Sequence, residues 1–234
     1  MTIAYKSQGL YPRATELCRK SLALQEEMFG PEHFGAVAHH DALASLARLE
    51  RRYDDAERHA QTMLRLCQQQ HREQHELAAA AGHHLGIVAA SQGQLDEADA
   101  AWRKALSIQQ ANGQPALAAR TWNRLGLLAY GRKQLVDAKK CFEAALKLQD
   151  GTSSRMQDRY SSLCNLAVIR HEQKQLPAAL DLLREAIELT EAPRAATVGA
   201  EQERAEYLAQ FATAFDLLFD WNLVSVGASP TPTS

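Results

Sequence analysis

The sequence predicts an all-α protein made of an array of helical hairpins, and three observations carry that prediction. The first is a period. Tyr11, Tyr53, Leu95, Leu135 and Leu176 stand 42, 42, 40 and 41 positions apart. Three residues after each comes an alanine: Ala14, Ala56, Ala98, Ala138 and Ala179. Seven beyond the alanine the residue is small in four copies (Ser21, Met63, Ala105, Ala145, Ala186), and the next is always aliphatic: Leu22, Leu64, Leu106, Leu146 and Ile187. A fixed period of this size marks an array in which each unit buries its apolar face only against its neighbours. The second observation is the spacing inside a unit. Trp122, Leu125, Gly126 and Ala129 mark one helical face, and Ala138, Phe142, Ala145 and Leu146 mark the next. Spacings of three and four put each set on one side of a helix. The third is punctuation, since a glycine or a polar pair (Gly9, Arg51–Arg52, Gly93, Lys133–Gln134) separates the two helices of a unit.

Taken in order, the units run over about residues 1–30, 37–70, 79–111, 119–150 and 160–193, giving an array over 1–193. Unit one has little room for a first helix, because Tyr5 already lies near where that helix would end. In the later units small residues recur where two helices must approach: Ala44, Gly86, Gly126 and Ala167. Residues 194–222 fall outside the period and read as a capping helix, because a terminal repeat needs a cover with a polar outer face. That helix carries Phe211, Phe215 and Phe219 at i, i+4 and i+8, together with Trp221. Its aromatic stripe packs on unit five or, in the sharper reading, joins two copies of the chain. The tail over 223–234 ends in SVGASPTPTS and reads as a flexible end or linker.

The pattern resembles the tetratricopeptide repeat. That signature places a large residue, Leu-Gly, an aromatic and a turn before Ala, an aromatic and Ala. Trp122, Leu125-Gly126, Ala138, Phe142 and Ala145 match it residue for residue. Leu85-Gly86, Ala98, Trp102 and Ala105 match in unit three, and Leu166-Ala167, Ala179, Leu183, Ala186 and Pro193 in unit five. The 40–42-residue spacing, against the family's common 34, is similar to the kinesin light chain class of repeats. So is the linker Phe29-Gly30-Pro31-Glu32-His33 followed by Val37-Ala38. The resemblance implies a right-handed α-solenoid whose concave groove is lined by the first helix of each pair.

Composition narrows the function. The chain has 234 residues, with 26 Lys and Arg against 28 Asp and Glu for a net charge of −2, so its charge gives no reason to expect nucleic acid or an anionic membrane as partner. No stretch approaches the roughly 18 apolar residues of a membrane span. The N-terminal MTIAYKSQGLYPRA lacks the apolar run of a signal peptide, and the four cysteines form no CxxC pair, so a reduced, cytoplasmic setting is expected. No phosphate loop, nucleophile elbow or acid pair appears, and no enzyme and no cofactor are expected. Cys67, His71 and His75 have i, i+4, i+8 spacing, but they fall where a hairpin should end, and no metal site is expected.

By the resemblance, the inward-pointing residues are Asp41, Ser45 and Arg48 in unit two, and His83 and His84 in unit three. Unit four adds Arg120, Asn123, Arg124, Leu127 and Tyr130, and unit five Asn165 and Val168. Arg120 and Arg124 share a helix face, and forked guanidiniums hold a carboxylate or phosphate bidentately. Asn123 and Asn165 resemble the asparagines with which such grooves hold a peptide backbone, since an amide both donates and accepts. The expected function is non-enzymatic: binding a segment of another protein in the groove, with Leu127, Tyr130 and Val168 taking apolar side chains. Two alternatives stay open. One is a self-assembling structural subunit, a homodimer joined through the incomplete first unit and the aromatic final helix. The other is a sensory or scaffold segment of a larger regulator.

Overall fold

In the computed structural model the described residues are 11–150, 156–196 and, nearer the C-terminus, Thr213, Ala214, Asp216, Leu217, Asp220 and Trp221. Among them are nine α-helices and no strand. In chain order these are α1 (Tyr11–Phe29), α2 (Ala36–Leu49), α3 (Tyr53–Gln69), α4 (Glu76–Ser91) and α5 (Leu95–Ala111). They continue with α6 (Pro115–Gly131), α7 (Leu135–Gln149), α8 (Met156–Glu172) and α9 (Leu176–Ala196). The fold is the all-α helical-repeat class that the period predicts. The chain divides into two compact units, one ending at Thr121 and one beginning at Trp122.

In the first unit α1 packs on α2, α2 on α3, α3 on α4 and α4 on α5, and α2 also reaches α4. In the second, α7 packs on α8 and α8 on α9. The repeated alanines are the reason such close stacking works: Ala14, Ala56, Ala98, Ala138 and Ala179 are all fully buried. Around them the first unit gathers Leu43, Leu46, Met63, Leu66 and Ile108. The second gathers Phe142, Leu166 and Ile169 in one cluster and Tyr160, Leu163 and Leu183 in another.

Within a hairpin the two helices are matched in size. A Cβ on Gly86 would lie 2.3 Å from Nε1 of Trp102, and one on Gly126 would lie 2.5 Å from Cε1 of Phe142. The same register holds Ala44 with Ala60, and Ala167 with Leu183. Where the second helix carries a ring the first carries glycine, and where it carries Ala or Leu the first affords a methyl group.

The turns repeat as faithfully as the core. Arg51, Gly93, Lys133 and Lys174, at one register, all take left-handed backbone (φ 58, 79, 61 and 60°). In each case the following N–H bonds the carbonyl five residues back, as in Arg52 N to Ala47 O at 2.8 Å and Gln134 N to Ala129 O at 2.9 Å. This is the 6→1 closure of a helix that ends on a left-handed residue. Only one of the four positions is glycine, so three lysines or arginines accept a conformational cost of about 1 kcal/mol each to turn the chain. Gly30, His71 and Gly113 (φ 84, 53 and 62°) are left-handed between repeats, and after His71 and Gly113 the closure is the same, Arg72 N to Cys67 O at 2.8 Å and Gln114 N to Gln109 O at 2.9 Å, whereas Pro31 after Gly30 has no N–H to give. Because α3 stops at Gln69 and His71 reverses the chain, Cys67, His71 and His75 do not share a helix face.

Candidate functional site

The helices that follow the turns between units, α2, α4, α6 and α8, carry every residue that the sequence places in the groove. In the first unit Asp41 of α2 accepts a hydrogen bond from His84 of α4, Nε2 to Oδ1 at 2.9 Å, and His84 is buried. His83 is half-buried, and its backbone carbonyl accepts the Trp102 indole N–H at 3.3 Å. Arg48, near the end of α2, is half-buried with its Nε shielded from solvent. Burial, reinforced by the charge of Arg120, lowers its pKa below the usual guanidinium value, with Tyr53 opposing.

On α6, Arg120 is half-buried, while Arg124 and Leu127 are exposed. Positions 120, 124 and 127 are spaced i, i+4, i+7 and lie along one face of the helix. Leu127 leaves 41% of its surface in water. Tyr130 is half-buried and donates its hydroxyl proton to Glu172 Oε1 at 2.5 Å, a bond that raises the phenol's pKa, with burial adding to it. Asn123 is used differently. It is buried, and its Nδ2 donates to Ser162 Oγ at 2.6 Å, which in turn donates to the Asp158 carbonyl at 3.0 Å. Its Oδ1 is enclosed and unpartnered. This side chain therefore ties α6 to α8. Asn165 and Val168 of α8 are both half-buried, and Val168 rests against the cluster of Tyr160 and Leu163.

Toward the C-terminus, Phe211, Phe215 and Phe219 lie outside the described residues. Trp221 is buried, its ring lying flat on His171 of α8 with centroids 4.1 Å apart and planes 2° apart. The Ala214 N–H donates to the Tyr160 hydroxyl at 2.8 Å. Burial pushes that phenol up to about 12, against the lowering effect of the Ala214 bond.

One polar pair escapes the sequence pattern. His40 of α2 and His59 of α3 meet Nδ1 to Nδ1 at 2.9 Å, so one ring donates and the other accepts. Burial is the main cause that lowers both, and His59 falls to about 4. The signal was weak because His59 has no histidine at its register in the other units. Among the described residues no group of three or more His, Cys, Asp or Glu could hold a metal, and no helix is long and apolar enough to cross a membrane.

Comparison with known proteins fits this geometry. Tetratricopeptide repeat models match residues 117–192 in one case and 2–35 and 78–114 in another, together more than half of the chain. The chain belongs to the tetratricopeptide repeat family. BtubC (BKLC) from P. vanneervenii is a solved structure of similar fold, with a TM-score of 0.71 at 18% identity over 86% of this chain and 81% of that one. A putative kinesin light chain from Podosopora anserina with nearly identical TPR-like repeats has a TM-score of 0.63 at 20% identity, over 82% of this chain and 92% of that one. MamA gives 0.56 at 14% identity over 83% and 96%. A search of curated proteins returns no match. At these identities the neighbours speak for the fold. Tetratricopeptide repeats generally mediate protein–protein interaction, and modules of this kind are typically non-enzymatic.

Proposed function

We propose that this tetratricopeptide array binds a segment of another protein along the face carried by α6 and α8. The observation that supports this best is the stripe on α6, where exposed Arg124 and exposed Leu127 follow Arg120 on one side of the helix. The repeat frame buries its consensus residues, so a large exposed aliphatic beside guanidiniums has no part in holding the hairpins together. Arg120 and Arg124 take an acidic group of the segment, Asn165 its backbone, and Leu127, Tyr130 and Val168 its apolar side chains. Asn123, committed to Ser162, serves by fixing α8 against α6. His83 and His84 line the corresponding helix of the first unit. Helices already folded need little ordering on binding, which lowers the entropic cost of association.

Assembly with a second copy is the other reading, and it draws on α1, where Leu24, Met28 and Phe29 are 61, 71 and 56% exposed. One experiment addresses both. Affinity capture with wild type and with Arg124→Glu/Leu127→Asp, each bait weighed by light scattering, should give a partner with wild type alone and a monomeric bait in both cases. The same proteins captured by both baits would overturn the α6–α8 face, and a bait that weighs as a dimer would turn the reading toward self-assembly.

A further inference from the structure

Where one hairpin meets the next, the chain places an arginine among acceptors. In the second unit Arg170 of α8 donates to Gln175 Oε1, in the turn before α9, at 2.8 Å and to Glu143 Oε1 of α7 at 3.2 Å. In the first unit Arg52, in the turn before α3, pairs with Glu50 and Asp55. The corresponding cleft of α3, α4 and α5, also in the first unit, has a volume of about 270 Å³ and no cation among its lining residues. The register explains this. Ala89 stands where α8 carries Arg170, and Gln94 stands where the turn before α3 carries Arg52, so neither arginine is supplied. The acceptors remain: Gln61 and Gln94 hold the positions of Glu143 and Gln175, and Glu97 holds that of Asp55. Glu57 adds a second carboxylate where α7 carries Lys139. Gln61 Nε2 donates to Glu57 Oε1 at 2.8 Å, and neither Glu57 nor Glu97 forms an ion pair among the described residues. Two carboxylates thus face a floor of Leu85, Val88 and Ala89.

We propose that the cleft of α3, α4 and α5 is a docking site for an arginine side chain carried by another protein. The guanidinium sits between Glu57 and Glu97 and donates to Gln94 Oε1, as Arg170 donates to Gln175 and Glu143 in its own cleft. The methylenes of the side chain lie along Leu85, Val88 and Ala89. A planar fork reaches acceptors on two walls, whereas an ammonium is a compact point charge, so arginine is taken over lysine. This goes beyond the α6–α8 reading and does not depend on it, since the site belongs wholly to the first unit and reads a positive charge. Glu57 is half-buried and Glu97 exposed, so the contact should weaken as salt rises.

The test uses the full chain and fluorescein-labelled hexaarginine followed by anisotropy, with labelled hexalysine beside it. Wild type should bind hexaarginine about fivefold more tightly than hexalysine, and N-acetylarginine amide should compete. Glu97→Ala, which copies Ala178 of α9, should weaken hexaarginine binding about tenfold, and Glu57→Gln should weaken it similarly. Neither residue belongs to the core, so Tm should hold in both variants. Ala89→Arg installs the arginine that α8 carries and should abolish binding by filling the cleft from within. If that variant fails to fold, Gln94→Arg, which copies Arg52, should do the same. Glu188→Gln, which removes an exposed carboxylate of α9, should leave the affinity unaltered. Hexaarginine binding that survives both Glu97→Ala and Glu57→Gln, or that falls as far in Glu188→Gln, overturns the site. Equal affinity for hexalysine, or no competition by N-acetylarginine amide, overturns its assignment to arginine.

Discussion

Both units bury glutamine and threonine (Gln109 and Thr121 in the first, Gln149 and Thr190 in the second), but they differ in what else polar they enclose. The unit ending at Thr121 buries the imidazoles of His40 and His84. The unit beginning at Trp122 buries the Asn123 amide and the Ser162 hydroxyl. The apolar frame is the same in both, from the repeated alanine to the left-handed turn. What varies is the polar group inserted between helices, and with it the dependence on protons. A repeat family changes its chemistry without changing its fold by substituting at these inserted positions, because the frame residues already supply the packing.

The largest expected effect tests whether the frame is in fact common. Gly126→Ala drives a methyl group into Phe142, and Gly86→Ala drives one into Trp102. Neither ring can withdraw, since both are buried and packed. Each substitution should cost about 2–3 kcal/mol, read as a fall in Tm by circular dichroism. Phe142→Leu should recover most of the loss in Gly126→Ala, because Leu183 occupies that register opposite Ala167 in the last hairpin. If Gly126→Ala is neutral while Gly86→Ala is not, the two units do not share one packing rule.

This size matching also shows how much was legible in the sequence. Gly86 and Gly126 could be read as close-approach positions from the period alone, since periodicity reports burial and burial is what repeats. The turns were legible as breaks at Gly93, Arg51 and Lys133 but not at Lys174, because a lysine side chain carries no signal of positive φ. The site was legible only as a set of inward positions. That Asn123 would turn to Ser162 depends on a hydroxyl 39 residues away, and that His84 would turn to Asp41 depends on a carboxylate 43 residues away. Such pairings are contests among neighbours in space, and no spacing rule along the chain decides them.

The middle effect concerns protons and should appear in the first unit. His59 has a folded pKa of about 4 against an ordinary 6.5, and His40 is also lowered. Glu26, His39 and Arg65 act on His40, and Arg58, Arg19 and Arg52 act on His59, where burial and the facing ring dominate. A group lowered by folding binds fewer protons folded than unfolded, so stability rises with pH across its window. The contribution is complete above about pH 6.5 and is lost as pH falls toward 4. The loss should be on the order of 2 kcal/mol for His59, with its partial exposure discounted. Tm measured between pH 7.5 and 4.5 should fall, and His59→Gln should flatten the slope while the Gly126→Ala deficit stays constant with pH. A wild-type Tm that is level over this range would remove the proton dependence from the comparison.

The smallest effect belongs to the second unit and sharpens the contrast from the other side. Ser162→Ala removes the acceptor for Asn123 Nδ2, and the amide's Oδ1 is already without a partner, so a buried amide would keep none of the side-chain bonds seen here. Leaving one buried donor unmade costs about 1–2 kcal/mol. Neither an amide nor a hydroxyl titrates in the working range, so the deficit should be equal at pH 5 and pH 7.5. Thermal unfolding of Ser162→Ala at both pH values checks this. Because Asn123 braces α8 against α6 in this reading, amide exchange in α8 should also quicken, most of all near Ser162, while exchange in α2 and α3 should hold at wild-type rates. Equal acceleration in both units would mean that the loss spreads through the array, and that the two polar interiors are not independent.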